Sequence, residues 1–132
     1  MSELDELKQA VQREIDQAAG LLIETSDWMY ANPEIGLQEH MASARLTEIL
    51  TEFGAAVERG IAGMPTAFAA ELPGGKPGPR VAVVAEYDAL PGVGHGCGHN
   101  IIATAALGAG LALARLGDRL PGSVVVLGTP AE

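Results

Sequence analysis

The chain has 132 residues, 48% apolar but only 4% aromatic, and its 8 Lys plus Arg against 17 Asp plus Glu leave a formal charge of −9. That charge opposes phosphate backbones and anionic lipid surfaces and excludes nucleic acid as a natural partner. A single Cys cannot form an internal disulfide, and the charged opening "MSELDELKQAVQREID" lacks the apolar core of a secretory signal, so a reducing, cytoplasmic setting is expected.

Leu4, Leu7, Val11, Ile15, Ala18 and Leu22 recur at spacings of three and four, which predicts a long amphipathic helix. Ser2 and Asp5 can close its start as a capping box. Pro33 stops it near Asn32, and Ala42, Leu46, Ile49, Leu50 and Phe53 mark a second helix that ends before Gly54. "TAFAAEL" then reads as a short strand, "PGGKPGP" as a loop, and "RVAVVAEY" as a strand whose unbroken Val and Ala run suits burial on both faces.

From Asn100 to about Arg115 the residues are apolar nearly all round, which predicts an enclosed helix, and Gly117 and Pro121 end it. Its run "IIATAALGAGLALA" falls short of the roughly 20 residues a bilayer needs, so no membrane segment is expected. "SVVVLGT" is a further buried strand. A strand, a helix and a strand in that order make a crossover with parallel strands, so the class is α/β, a parallel-containing sheet with flanking helices.

In such a unit the loop after Tyr87 and the segment after Thr129 emerge at one edge of the sheet, where open α/β folds place ligands. Asp88, His95, Cys97, His99 and Glu132 are therefore expected to converge. The stretch "EYDALPGVGHGCGHN", residues 86–100, holds the only Cys and two of the three His. Thiolate, imidazole and carboxylate are zinc ligands, and Cys97 and His99 lie two apart on a loop that Gly96 and Gly98 let bend. The helix starting near Asn100 would favour the Cys97 thiolate. Two ligands do not hold a catalytic zinc, so others must come from Asp88, Glu132 or outside the chain. Glu86 shares a strand side with Asp88 but reads as a solvated strand terminus. Two other chemistries stand beside the metal: a Cys97 nucleophile with a His base, which the short spacing disfavours, and a phosphate cradle, whose glycine pattern is absent.

The segments "AEYDALPGVGHGCGHN" and "TPAE", with "NPEIGLQEH" and "GIAGMPTAF", resemble the amidohydrolase branch of metallopeptidase family M20, in particular its aminoacylase-like dipeptidases and aminobenzoyl-glutamate hydrolases. The resemblance implies that residues 1–132 are the N-terminal portion of a zinc-peptidase-like catalytic domain. It implies Cys97 and His99 as metal ligands, Asp88 as an acid that orients a ligand, and Glu132 as the general base. His95 is implied to support the ligands without binding the ion. A divalent metal follows, Zn2+ first and Mn2+ next, binuclear in the complete enzyme, which would hydrolyse the amide of a dipeptide or N-acyl amino acid. The second Glu of the family's pair would be residue 133, and the inserted domain that often mediates dimerisation is not in the sequence. The implied complete enzyme is thus a homo-oligomer, and the alternative for the chain alone is a non-catalytic α/β fragment.

Overall fold

A computed structural model describes all 132 residues. Helix α1, Glu3–Ala31, opens with the expected capping box, in which Ser2 Oγ accepts the Asp5 N–H and the Asp5 carboxylate accepts the Ser2 N–H, each at 3.1 Å. Asn32 closes the helix one residue before Pro33, which cannot continue it. Helix α2, His40–Glu52, carries the predicted apolar face, with Ala42, Leu46, Ile49 and Leu50 buried.

Strand β1, Ala56–Arg59, has no counterpart among the predicted elements, because "AVER" is too short and too polar to carry a strand pattern. Strand β2, Phe68–Glu71, falls within the predicted segment. Strand β3, Lys76–Glu86, starts four residues before the predicted strand and takes in residues expected to form a loop. Pro77 and Pro79 are tolerated there because β3 is an edge strand, where missing N–H donors cost no ladder bond, and the register with its neighbour shifts between Lys76 and Arg80. Helix α3, His99–Leu116, leads to β4, Pro121–Thr129.

The sheet runs β1-β2-β4-β3, with β3 and β4 parallel and the other two pairings antiparallel. The mixed α/β class agrees with the sequence reading, as does the β3-α3-β4 crossover. The burial expected for β3 does not hold. Most of the strand is open, with Val81 and Val84 each about half exposed, because no further strand covers its outer edge.

The core lies between the sheet and the helices, around Phe68, Tyr87, Leu46, Leu107, Leu111 and Val126. Phe68 and Tyr87 stack with centroids 5.9 Å apart. Gly110 lets α3 approach the sheet: a Cβ there would stand 2.7 Å from Val126 Cγ2. With the turn that follows it, α3 covers His99–Arg119, 21 residues within which an 18-residue stretch has a mean hydropathy of 1.4, long and apolar enough to cross a membrane by length and composition, which its inner run alone is expected not to be. Here 56% of that stretch is buried inside the fold, as the enclosed core helix requires.

Candidate functional site

The predicted convergence rests on one end of the parallel pair. Asp88 lies two residues past the end of β3 and is buried, and Glu132 lies three residues past the end of β4. The Glu132 N–H donates to Asp88 Oδ1 at 3.1 Å, so the two strand ends do meet. The segment after α1 closes the same edge. Glu34 O accepts the Ala89 N–H at 2.8 Å, Ile35 pairs with Ala89, and the Glu34 carboxylate accepts the N–H groups of Met41 and Ala42 at the start of α2. A carboxylate at that helix start satisfies donors the helix leaves open.

His99 is the first residue of α3, and Gly98 before it takes a left-handed conformation at φ 86°, which turns the loop into the helix without Cβ strain. His99 Nδ1 lies 2.9 Å from the Asp88 carbonyl oxygen and 3.1 Å from Asp88 Oδ1. Facing two acceptors, Nδ1 carries the proton and donates to both. His99 Nε2 lies 3.0 Å from Glu86 Oε2. Glu86, expected to be a solvated strand terminus, is thus part of the site. The signal is its alternation with Asp88, which sets both side chains on one side of the strand end.

Cys97 is exposed, so its thiol is not consumed by core packing. His95 is buried and its Nδ1 has no hydrogen-bond partner. Burial, and then the neighbouring His99, hold its pKa below the ordinary value. Glu132 is exposed, and its backbone is held by the hydrogen bond to Asp88. Two buried residues escape the sequence reading. Glu39 is fully enclosed and accepts the Ala131 N–H at 2.9 Å, while Tyr87 is fully enclosed and donates to the Thr66 carbonyl. Burial first, and then the Glu39 charge, raise the Tyr87 pKa above its ordinary value.

No three His, Cys, Asp or Glu side chains close into a ready ligand set. The donors present nonetheless fit a divalent ion as part of such a set. With its proton on Nδ1, His99 aims the Nε2 lone pair at a carboxylate 3.0 Å away, a repulsive pairing that a proton or a cation relieves. That separation is in the range kept by two ligands of one ion whose bonds are each about 2.0–2.2 Å. The apolar cleft lined by Leu72, Val81, Leu120 and Val124 lies at the other end of β3 and β4 and has no ionisable side chain, so it offers no competing chemistry.

No family model matches the chain. Individual proteins do. The chain is 42% identical to the Xaa-Arg dipeptidase of Mus musculus, over 99% of this chain and 33% of that protein. It is 32% identical to a p-aminobenzoyl-glutamate hydrolase polypeptide of Escherichia coli K12, over 81% of this chain and 26% of that protein. A Bacillus subtilis structure described as a dinuclear metal-binding peptidase of the M20 family superposes with a TM-score of 0.77 at 25% identity, covering 95% of this chain and 36% of that one. The chain thus spans about a third of the length of the relatives it matches. These homologues are dipeptidases and amidohydrolases, and they support kinship with the amidohydrolase branch of that family.

Proposed function

From this kinship with the amidohydrolase branch of metallopeptidase family M20, we propose that the chain carries part of the active site of a metal-dependent hydrolase. The bond cleaved is the amide of a dipeptide or an N-acyl amino acid. The observation that carries the reading is the clamp on His99, with Nδ1 held by Asp88 and Nε2 turned to Glu86, on the loop that also bears Cys97. In this reading Cys97, His99 Nε2 and Glu86 hold the metal, and the remaining ligands come from outside the matched third. Thiolate and imidazole favour Zn2+, and the carboxylates admit Mn2+, in a binuclear centre. A small-molecule substrate, a homo-oligomer and a cytoplasmic setting belong to the same proposal.

When bound, the ion polarises the scissile carbonyl and lowers the pKa of the attacking water. Asp88 keeps the proton on His99 Nδ1 and so presents Nε2 as the lone pair. The start of α3 favours the thiolate form of Cys97. Glu132 takes a proton from the attacking water and returns it to the amine nitrogen as the C–N bond breaks.

A Cys97 nucleophile has less support. Both ring nitrogens of His99 are engaged by carboxylates, and no hydrogen bond links an imidazole to the thiol. Metal analysis of the complete protein tests the proposal. We expect bound divalent ion, amidase activity lost to a chelator and activity restored by zinc or manganese. A metal-free preparation with chelator-resistant turnover rejects it.

A further inference from the structure

We infer that Glu39 is a positioning residue for Glu132, acting through the backbone of Ala131. The inference rests on the reading of Glu132 as the general base.

Glu39 has no exposed surface, yet no Lys, Arg or His pairs with it: the ion pairs of the chain join Arg80 to Glu71 and His99 to Glu86 and Asp88. An enclosed carboxylate without a cation is costly and persists only where its acceptors are used. Its Oε2 accepts the Ala131 N–H at 2.9 Å, and its Oε1 accepts the Thr66 hydroxyl at 3.4 Å. Ala131 itself is exposed, so water could serve its N–H. An enclosed acceptor directed at that group fixes a direction where solvation alone would leave it free.

The backbone at this point needs fixing. Ala131 has φ 56°, a left-handed conformation that costs a residue with a Cβ about 1–2 kcal/mol. Gly36 packs against it so closely that an added Cβ would stand 3.0 Å from Ala131 Cβ. The next N–H, that of Glu132, goes to Asp88 Oδ1 at 3.1 Å. Two successive N–H groups are thus taken by two buried carboxylates from separate parts of the chain, one after α1 and one after β3. Together they set the orientation from which the Glu132 side chain leaves the backbone, at the strand end where the same Asp88 oxygen meets His99. A base must lie within hydrogen-bond reach of its proton, and a shift of about 1 Å can cost roughly a hundredfold in rate.

The test uses the complete protein with Glu39→Gln, which keeps an acceptor oxygen, and Glu39→Met, which keeps the length and removes it. In Glu39→Gln, amide exchange at Ala131 and Glu132 stays at the wild-type rate and kcat stays within about threefold of wild type. In Glu39→Met, both amides exchange at least tenfold faster and kcat falls by roughly 10- to 100-fold, with KM and metal content unchanged. In a Glu132→Gln background, Glu39→Met lowers the residual rate no further, because the two residues act as one unit. Should Glu39→Met not fold, Glu39→Asp, whose carboxylate is drawn back by one methylene, carries the same expectations. Unaltered Ala131 exchange, or an equal loss of kcat in the Glu132→Gln background, overturns the inference and leaves the base reading intact. Normal turnover by Glu132→Gln alone removes the base reading, and with it the catalytic half of the inference.

Discussion

The backbone N–H of Glu132 donates to Asp88 Oδ1 at 3.1 Å, which ties the end of β4 to the end of β3. The same oxygen lies 3.1 Å from His99 Nδ1, so one buried carboxylate orients both an imidazole and the peptide that bears the proposed base. Removing it leaves the Glu132 N–H without its acceptor and His99 Nδ1 with only the backbone carbonyl of residue 88, at 2.9 Å.

Asp88→Ala therefore lowers stability by about 0.5–1.5 kcal/mol, the net worth of a hydrogen bond whose donor can turn to water. Asp88→Asn loses less, because its amide oxygen can still accept. Urea unfolding followed by circular dichroism measures both. Equal midpoints for Asp88→Ala and the unaltered protein would mean that this oxygen does not tie the strand ends together.

Cys97 is exposed, so Cys97→Ala changes stability by no more than about 0.5 kcal/mol, as for surface positions generally. In the proposed site it binds metal, so the same substitution weakens affinity for zinc by at least tenfold, about 1.4 kcal/mol. Competition with a chromophoric chelator reads the affinity, and thermal unfolding of the metal-free form reads the stability. Loss of stability with affinity retained would assign the thiol to packing.

Glu86→Gln separates an ion pair from a ligand role. As a ligand, Glu86 holds the metal beside His99 Nε2, and the neutral amide lowers metal affinity while the fold persists. As a partner only to a protonated His99, it leaves metal affinity alone. Calorimetric titration of the variant with zinc decides, and unchanged affinity removes Glu86 from the ligand set.

Most of the fold is legible because it follows from pattern and punctuation: Leu4 to Leu22 at helical spacing, Pro33 and Gly54 as stops, and the run from Val124 to Leu127 without polar interruption as a strand. The failures have a common cause in long-range context. Val81 and Val84 carry a buried-strand pattern, but burial depends on what packs around a strand, and no strand of this chain lies beyond β3. The site is legible where chemistry clusters along the chain, at Asp88, Cys97 and His99. Glu39 could not be found that way, since a carboxylate in the polar stretch "GLQEH" reads as solvated until the fold brings Ala131, 92 residues later, onto its oxygen.

Glu132→Gln keeps the backbone N–H that binds Asp88 and removes only the carboxylate's basicity. Metal content and unfolding midpoint stay at the unaltered values, while kcat falls by roughly 10²–10⁴, the range for loss of a general base. Full turnover by this variant in the complete enzyme would remove Glu132 from the reaction.

Tyr87 donates its phenol to the Thr66 carbonyl inside the core, and burial with the nearby Glu39 charge raises its pKa above the ordinary 10.0. In the unfolded chain the phenol ionises near that ordinary value, whereas in the fold it keeps its proton to higher pH. The folded state therefore holds more protons than the unfolded state above pH 10, so the stability linked to Tyr87 is complete below that pH and is lost as pH rises toward the folded pKa. Tyr87→Phe lacks the ionisation and also leaves the Thr66 carbonyl without its donor, which costs about 1 kcal/mol at neutral pH. Between pH 9 and about 11.5 its urea midpoint should fall less steeply than that of the unaltered protein, since one proton of linkage is gone. Parallel slopes for the two proteins would show that the phenol titrates alike in both states, and that its enclosure does not hold the proton.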